Sequence, residues 1–154
     1  MPATRPAAVS GMFYPGEASS LAAEVASYLS QADAPRGVPP PKAIIAPHAG
    51  YIYSGPVAAS VYALLAPARS RISRVVLLGP THRVAVRGLA LPGCEAFATP
   101  LGMVKMDTPS IAAIRKLPQV VVSAQAHALE HSLEVHVPFL KAVLEQFTLV
   151  PLAV

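Results

Sequence analysis

At 154 residues the chain is long enough for one domain with a buried core, and 53% hydrophobic against 13% charged residues excludes a disordered chain. A net charge of +4 is not in itself a nucleic-acid footprint, which needs basic residues gathered on one face. Arg69, Arg71, Arg74, Arg83 and Arg87 form only a loose cluster without interleaved aromatics, so no nucleic-acid partner is expected.

Taken in chain order, Met1 to Pro6 lacks the apolar stretch of a secretory signal. The spacing of Leu21, Val25 and Leu29 predicts a helix over 19–31, with Ser19 or Ser20 as its cap. Pro39-Pro40-Pro41 is a stiff run leading into Lys42-Ala43-Ile44-Ile45-Ala46, a continuously apolar segment that reads as a strand buried on both faces. The turn Pro47-His48-Ala49-Gly50 follows, then a helix from about Ser54 to Leu65 with Ser54 as cap and Pro56 in its first turn. Ala43 to Ala68 carries no Asp, Glu, Lys or Arg, yet Pro47, Gly50, Gly55 and Pro56 interrupt it, so no membrane span is expected. Arg74 to Leu78 predicts a second buried strand, ending in Gly79-Pro80-Thr81-His82. A strand over Gly88–Leu91, a helix from Asp107 or Thr108 through Lys116, and a strand at Val120–Val122 come next. The longest helical pattern covers 129–147, and Thr148–Val154 reads as a strand. Strands alternating with helices predict an α/β fold with a mainly parallel sheet flanked by helices, in a single domain over 1–154. An apolar strand at the end of the chain leads to the expectation of a truncated domain, with an exposed edge prone to pairing or a homodimer. A single cysteine, Cys94, allows no intrachain disulfide, and a cytoplasmic location is the expectation.

The chemistry points to histidines. His48 and His82 each lie just past a predicted buried strand, in a turn containing proline, and open α/β sheets bind ligands outside the carboxyl ends of their strands. If the two strands are neighbours, both imidazoles project into one cleft, as metal ligation requires. Two turn histidines bonded to nearby backbone are the plainer alternative. A second cluster spans His127 to His136. On a helical wheel His136 falls on the apolar stripe and points inward, to be packed and hydrogen-bonded, with Ser132 as a cap. His127 and His131 stand four apart, but Glu130 is at the wrong offset for an H-E-x-x-H site. Glu130, His131, Glu134 and His136 can border the pocket, orienting the ligands. Cys94 has no close basic residue and reads as a plain loop thiol, and Ser54 at a helix start could cradle an anion. No G-x-S-x-G, Walker A or G-x-G-x-x-G motif occurs.

The run Arg5 to Pro15 (RPAAVSGMFYP) resembles the opening of the Memo family, whose bacterial members are called AmmeMemoRadiSam system protein B. The similarity continues through Ile44 to Tyr51, Ser54-Gly55, Leu78 to His82, Thr99 to Gly102, Glu130 to Pro138 and Phe147 to Pro151, in the same order. The resemblance implies a fold like that of the class III extradiol ring-cleaving dioxygenases, with a non-haem metal at one end of the sheet. It implies that His48 and His82 are ligands of a metal ion, Fe(II) first and copper or zinc otherwise. It also implies that this chain corresponds to the N-terminal half, a further ligand and an acid/base histidine belonging to the other half. The functions in view are a metal-binding, dioxygenase-like redox protein that takes a small molecule or peptide in its cleft, a non-catalytic peptide- or partner-binding module, and a metal-dependent hydrolase with Glu134 as base.

Overall fold

In the computed structural model, which describes residues 3–35 and 37–154, two mixed β-sheets are flanked by short helices. The elements are β1 (Thr4–Arg5), α1 (Ala18–Gln31), α2 (Tyr51–Tyr62) continuing as a 3-10 helix over Ala63–Ala68, β2 (Arg74–Gly79), β3 (Leu89–Leu91), β4 (Ala96–Phe97) and β5 (Val104–Lys105). The chain then forms α3 (Thr108–Ile114), β6 (Val120–Val122), α4 (Ala124–Ala128), a 3-10 turn over Glu134–His136, α5 (Val137–Val143) and β7 (Thr148–Ala153). One sheet has the order β2-β7-β3-β6 and the other β1-β4-β5. Pairing is parallel for β2–β7 and β3–β6 and antiparallel for β3–β7, so the α/β class holds while the sheets are mixed rather than mainly parallel.

The final strand is not an exposed edge. β7 lies between β2 and β3 in register Arg74↔Thr148 to Gly79↔Ala153, and all of it past Thr148 is buried. Pro151 is tolerated there for a reason of parity. The N–H groups of Thr148 and Val154 donate to Ser73 and Gly79, so even-numbered residues of β7 face β2. The missing donor of Pro151 falls on the opposite side, between the bridges Met106↔Leu149 and Ala90↔Ala153, where no ladder bond is lost.

The main core gathers Leu21 and Val25 of α1, Tyr51, Ala59 and Tyr62 of α2, and Phe139 and Leu140 of α5. Helix α1 appears as the periodicity predicts, but Glu17 rather than a serine precedes it and makes no side-chain cap. Helix α2 starts at Tyr51, three residues before the expected cap. Ser54 sits inside its first turn and turns its Oγ back to the Ala49 carbonyl at 2.9 Å. The anion cradle expected at Ser54 loses its basis with that shift.

Three expectations fail for identifiable reasons. The Lys42–Ala46 segment forms no strand with any of the described residues; a slot of about 800 Å³ separates it from β2, and Ile45 is 96% exposed. For the same reason β2 is not buried on both faces: Val76 and Leu78 are 56% and 55% exposed. The helix expected over 129–147 breaks after α4. The chain instead turns through a loop in which the Glu130 carboxylate accepts the N–H groups of His131 and Ser132, and α5 begins only at Val137, with Pro138 in its first turn. Among the described residues no helix is long and apolar enough to cross a membrane.

Candidate metal centre

Three imidazoles from distant parts of the chain converge at one end of the β2–β7 pair. His48 comes from the turn before α2, His82 from the turn after β2, and His131 from the loop between α4 and α5. The first turn is pinned by Tyr51, whose N–H donates to the Phe13 carbonyl (2.7 Å) and whose hydroxyl donates to the Val135 carbonyl (2.7 Å). The second is held by Thr81 N–H on the Val154 carbonyl (2.9 Å) and by Ser132 Oγ on the Pro80 carbonyl (2.7 Å). Gly79 permits that approach: a Cβ there would lie 2.9 Å from Ser132 Oγ and 3.1 Å from Leu133 Cδ2. Ser132 is therefore a tie between two loops and not the helix cap expected of it.

One ring nitrogen from each histidine lies within 4.8 Å of those of the other two. The rings of His82 and His131 stack at 4.5 Å between centroids, with His48 at 5.3 and 5.8 Å from them. Phe13 backs His131 at 4.6 Å. Glu130 organises the group. Its Oε2 accepts His82 N–H (2.6 Å), and its Oε1 meets His82 Nδ1 (2.8 Å) and accepts the backbone N–H groups of His131 (2.8 Å) and Ser132 (2.9 Å). Burial alone would raise the Glu130 pKa, but hydrogen bonds from His82 and Ser132 outweigh it and bring it down to about 2. An ionised carboxylate only accepts, so His82 Nδ1 carries a proton and donates it, and Nε2 is the ring nitrogen that Glu130 does not engage. His131 is held below the ordinary histidine pKa, mainly by burial, against the opposing pull of Glu130. Three converging imidazoles, one of them held at Nδ1 by a carboxylate, are a donor set that suits a transition-metal ion, so the residues present fit such an ion.

The remaining residues read from the sequence fall outside this group. Glu134 faces away from it: Arg5 Nη1 (2.7 Å), Ala8 N–H (2.8 Å), Val9 N–H (3.0 Å) and Tyr14 O–H (2.6 Å) occupy its carboxylate. This carboxylate locks the N-terminal segment to the 3-10 turn, which removes the base on which the hydrolase reading rested. His127 is buried with its Nε2 at 2.7 Å from the Ala90 carbonyl, and Cys94 is a half-buried thiol whose pKa burial pushes up. The expectation that His131 only borders the site is where sequence reasoning fell short. Its spacing from His127 drew attention to a helical pair, whereas the chain turns at Glu130 and parts them.

His136 is buried as expected, at 7% exposure, and its ring lines the slot beside β2. Burial, with a smaller contribution from His48, depresses its pKa to about 4. The unfolded chain therefore binds a proton near pH 6.5 that the folded chain refuses until about pH 4. The stability this gives is complete above pH 6.5 and is lost as the pH falls through that window, by up to about 3 kcal/mol. Thermal melts at pH 7 and pH 4.5 should show a smaller acid-induced drop in His136→Gln than in the parent. Equal drops would mean that His136 is not the group responsible.

Comparison with known proteins agrees with the motifs. The sequence profile described as Memo-like protein matches residues 5–154. The chain is 37% identical to Protein MEMO1 of Danio rerio, over 97% of this chain and 51% of that protein. It is 38% identical to the MEMO1 family protein of Ignicoccus hospitalis, over 96% of this chain and 55% of that one. The corresponding protein of Aquifex aeolicus is also 38% identical, over 97% and 54%. The chain thus spans about half the length of the curated relatives it matches.

Proposed function

The chain belongs to the Memo-like protein family, and on that premise we propose that it is a metal-binding protein whose ion is held by His48, His82 and His131. The observation that carries the reading is the convergence of three ring nitrogens within 4.8 Å, one of them held to a single tautomer by a buried carboxylate. Iron is the metal we propose, from the resemblance of the Memo family's fold to that of the extradiol dioxygenases; three imidazoles also accept copper or zinc. Bound Fe(II) would supply oxygen-dependent, dioxygenase-type redox chemistry on a small molecule in the cleft. The chain's own residues supply the setting for it. Glu130 fixes the His82 ring and the 131–132 backbone together, and Phe13 covers one side of His131.

Metal analysis of protein purified without added metal tests this. Stoichiometric iron is expected in the parent and none in the His48→Ala/His82→Ala double variant or in His131→Ala, with circular dichroism unchanged. Unchanged uptake in the variants would sink the ligand assignment. Zinc or copper in the parent would keep the site and discard the dioxygenase-type chemistry. A metal-free parent that still binds a peptide would favour the non-catalytic binding module.

A further inference from the structure

The slot beside β2 is walled on one side by Lys42–Ala46 and on the other by the free edge of β2, with His136 and Leu140 among the residues beneath. Hydrogen bonding to β7 uses the carbonyls of Ser73 and Gly79, so odd-numbered residues of β2 turn their backbone groups toward β7. The N–H and C=O groups of Arg74, Val76 and Leu78 therefore face the slot, and among the described residues no strand pairs with them. Ile45, Val76 and Leu78 line it while more than half exposed, and the His136 ring also borders it. The free edge of a strand facing a second unpaired segment is a template for β-augmentation. The dimensions match: a six-residue strand is about 20 Å long and takes about 4.8 Å of sheet width and 10 Å of thickness, roughly 1,000 Å³, against about 800 Å³ here.

We propose that this slot receives one β-strand from the part of the Memo-like fold that the curated relatives carry and this chain does not span, paired with β2 on one side and with Lys42–Ala46 on the other. The occupant needs both of its edges free. Among the described residues every strand is already paired along at least one edge, so a second copy of this chain offers no such strand. The relatives are about twice as long as the matched region, which leaves ample chain to supply it. Lys42–Ala46 leads into the His48 turn and β2 into the His82 turn, so the inserted strand would fix the spacing of the two turns that carry those histidines. The inference does not depend on a bound metal and is read in metal-free buffer.

The test titrates this chain with the separately produced part of the Aquifex aeolicus relative that lies outside the match, followed by light scattering and amide hydrogen exchange. A one-to-one complex is expected, in which the amides of Val76 and Leu78 slow by at least about tenfold. Val76→Pro removes one N–H that faces the slot and none that faces β7, and should weaken binding about tenfold or more with the circular dichroism retained. Leu78→Lys, which places a charge in the slot wall, should do the same. Absence of binding by the parent, binding without protection of those amides, or binding equally tight in both variants would overturn the proposal. So would protection of the same amides in the chain alone: in a monomer it would mean that Lys42–Ala46 closes the slot, and in a dimer that a second copy fills it.

Discussion

Glu134→Ala is expected to lower the stability of the fold by about 3–5 kcal/mol, the scale seen when one partner of a buried ion pair is removed. Arg5 and Glu134 are 6% and 1% exposed and meet at 2.7 Å. The substitution strands more than the guanidinium, because Ala8 N–H, Val9 N–H and the Tyr14 hydroxyl lose their acceptor as well. The Tyr14 pKa, raised by burial and then by the bond to Glu134, shows how firmly that hydroxyl stays protonated as a donor. Urea unfolding should show the midpoint shift, and Arg5→Met/Glu134→Leu should recover part of it because no buried charge is then left alone. The discriminating readout is metal content. In Glu134→Gln it should match the parent in the folded fraction, since this carboxylate serves the N-terminal segment. Metal loss from a fully folded Glu134→Gln would return Glu134 to the site.

Glu130→Gln should weaken metal binding about 10–100-fold, the range found when the carboxylate behind a ligating histidine is replaced. One carboxylate here receives two backbone N–H groups at a single oxygen, and both the N–H and Nδ1 of His82 besides. An amide presents an NH2 to at least one of these donors, so a repulsive contact replaces a charge-assisted bond. His82 is then free to change tautomer, and the loop from His131 to Ser132 loses its lock. Titration with Fe(II), and separately with Zn(II), in parent and variant measures the change. Equal affinities with an intact fold would show that Glu130 only shapes the loop.

Much of the fold was legible in local chemistry. The stripe Leu21–Val25 made α1, and Asp107 capped α3 by accepting Ser110 N–H at 2.9 Å. The apolar runs ending at Leu78 and Val122 became strands because β-branched and leucine side chains favour extended chain wherever a partner edge is available. The run at Lys42–Ala46 has the same composition and is no strand, since pairing belongs to the neighbour and not to the segment. The helix expected over 129–147 failed in a related way. Its apolar period is real, but the chain turns at Glu130, whose carboxylate is held by His82 from far along the chain, and a periodicity count cannot see such a contact.

The α/β class, the family likeness carried by the ordered motifs, and the prominence of His48 and His82 in proline-bearing turns were all readable from the chain's local patterns. Local patterns sufficed because hydrophobic period, proline and caps act within a few residues. Long-range packing brought His131 to those two, set Glu130 behind His82 while Glu134 turns away to Arg5, and made β7 interior while β2 carries the free edge. Each of these depends on contacts between residues dozens of positions apart, such as His82 with Glu130 and Arg5 with Glu134. Side chains one helical turn apart in sequence were sent in opposite directions by the break at Glu130, and that break is set by which distant donors the folded chain brings to the carboxylate.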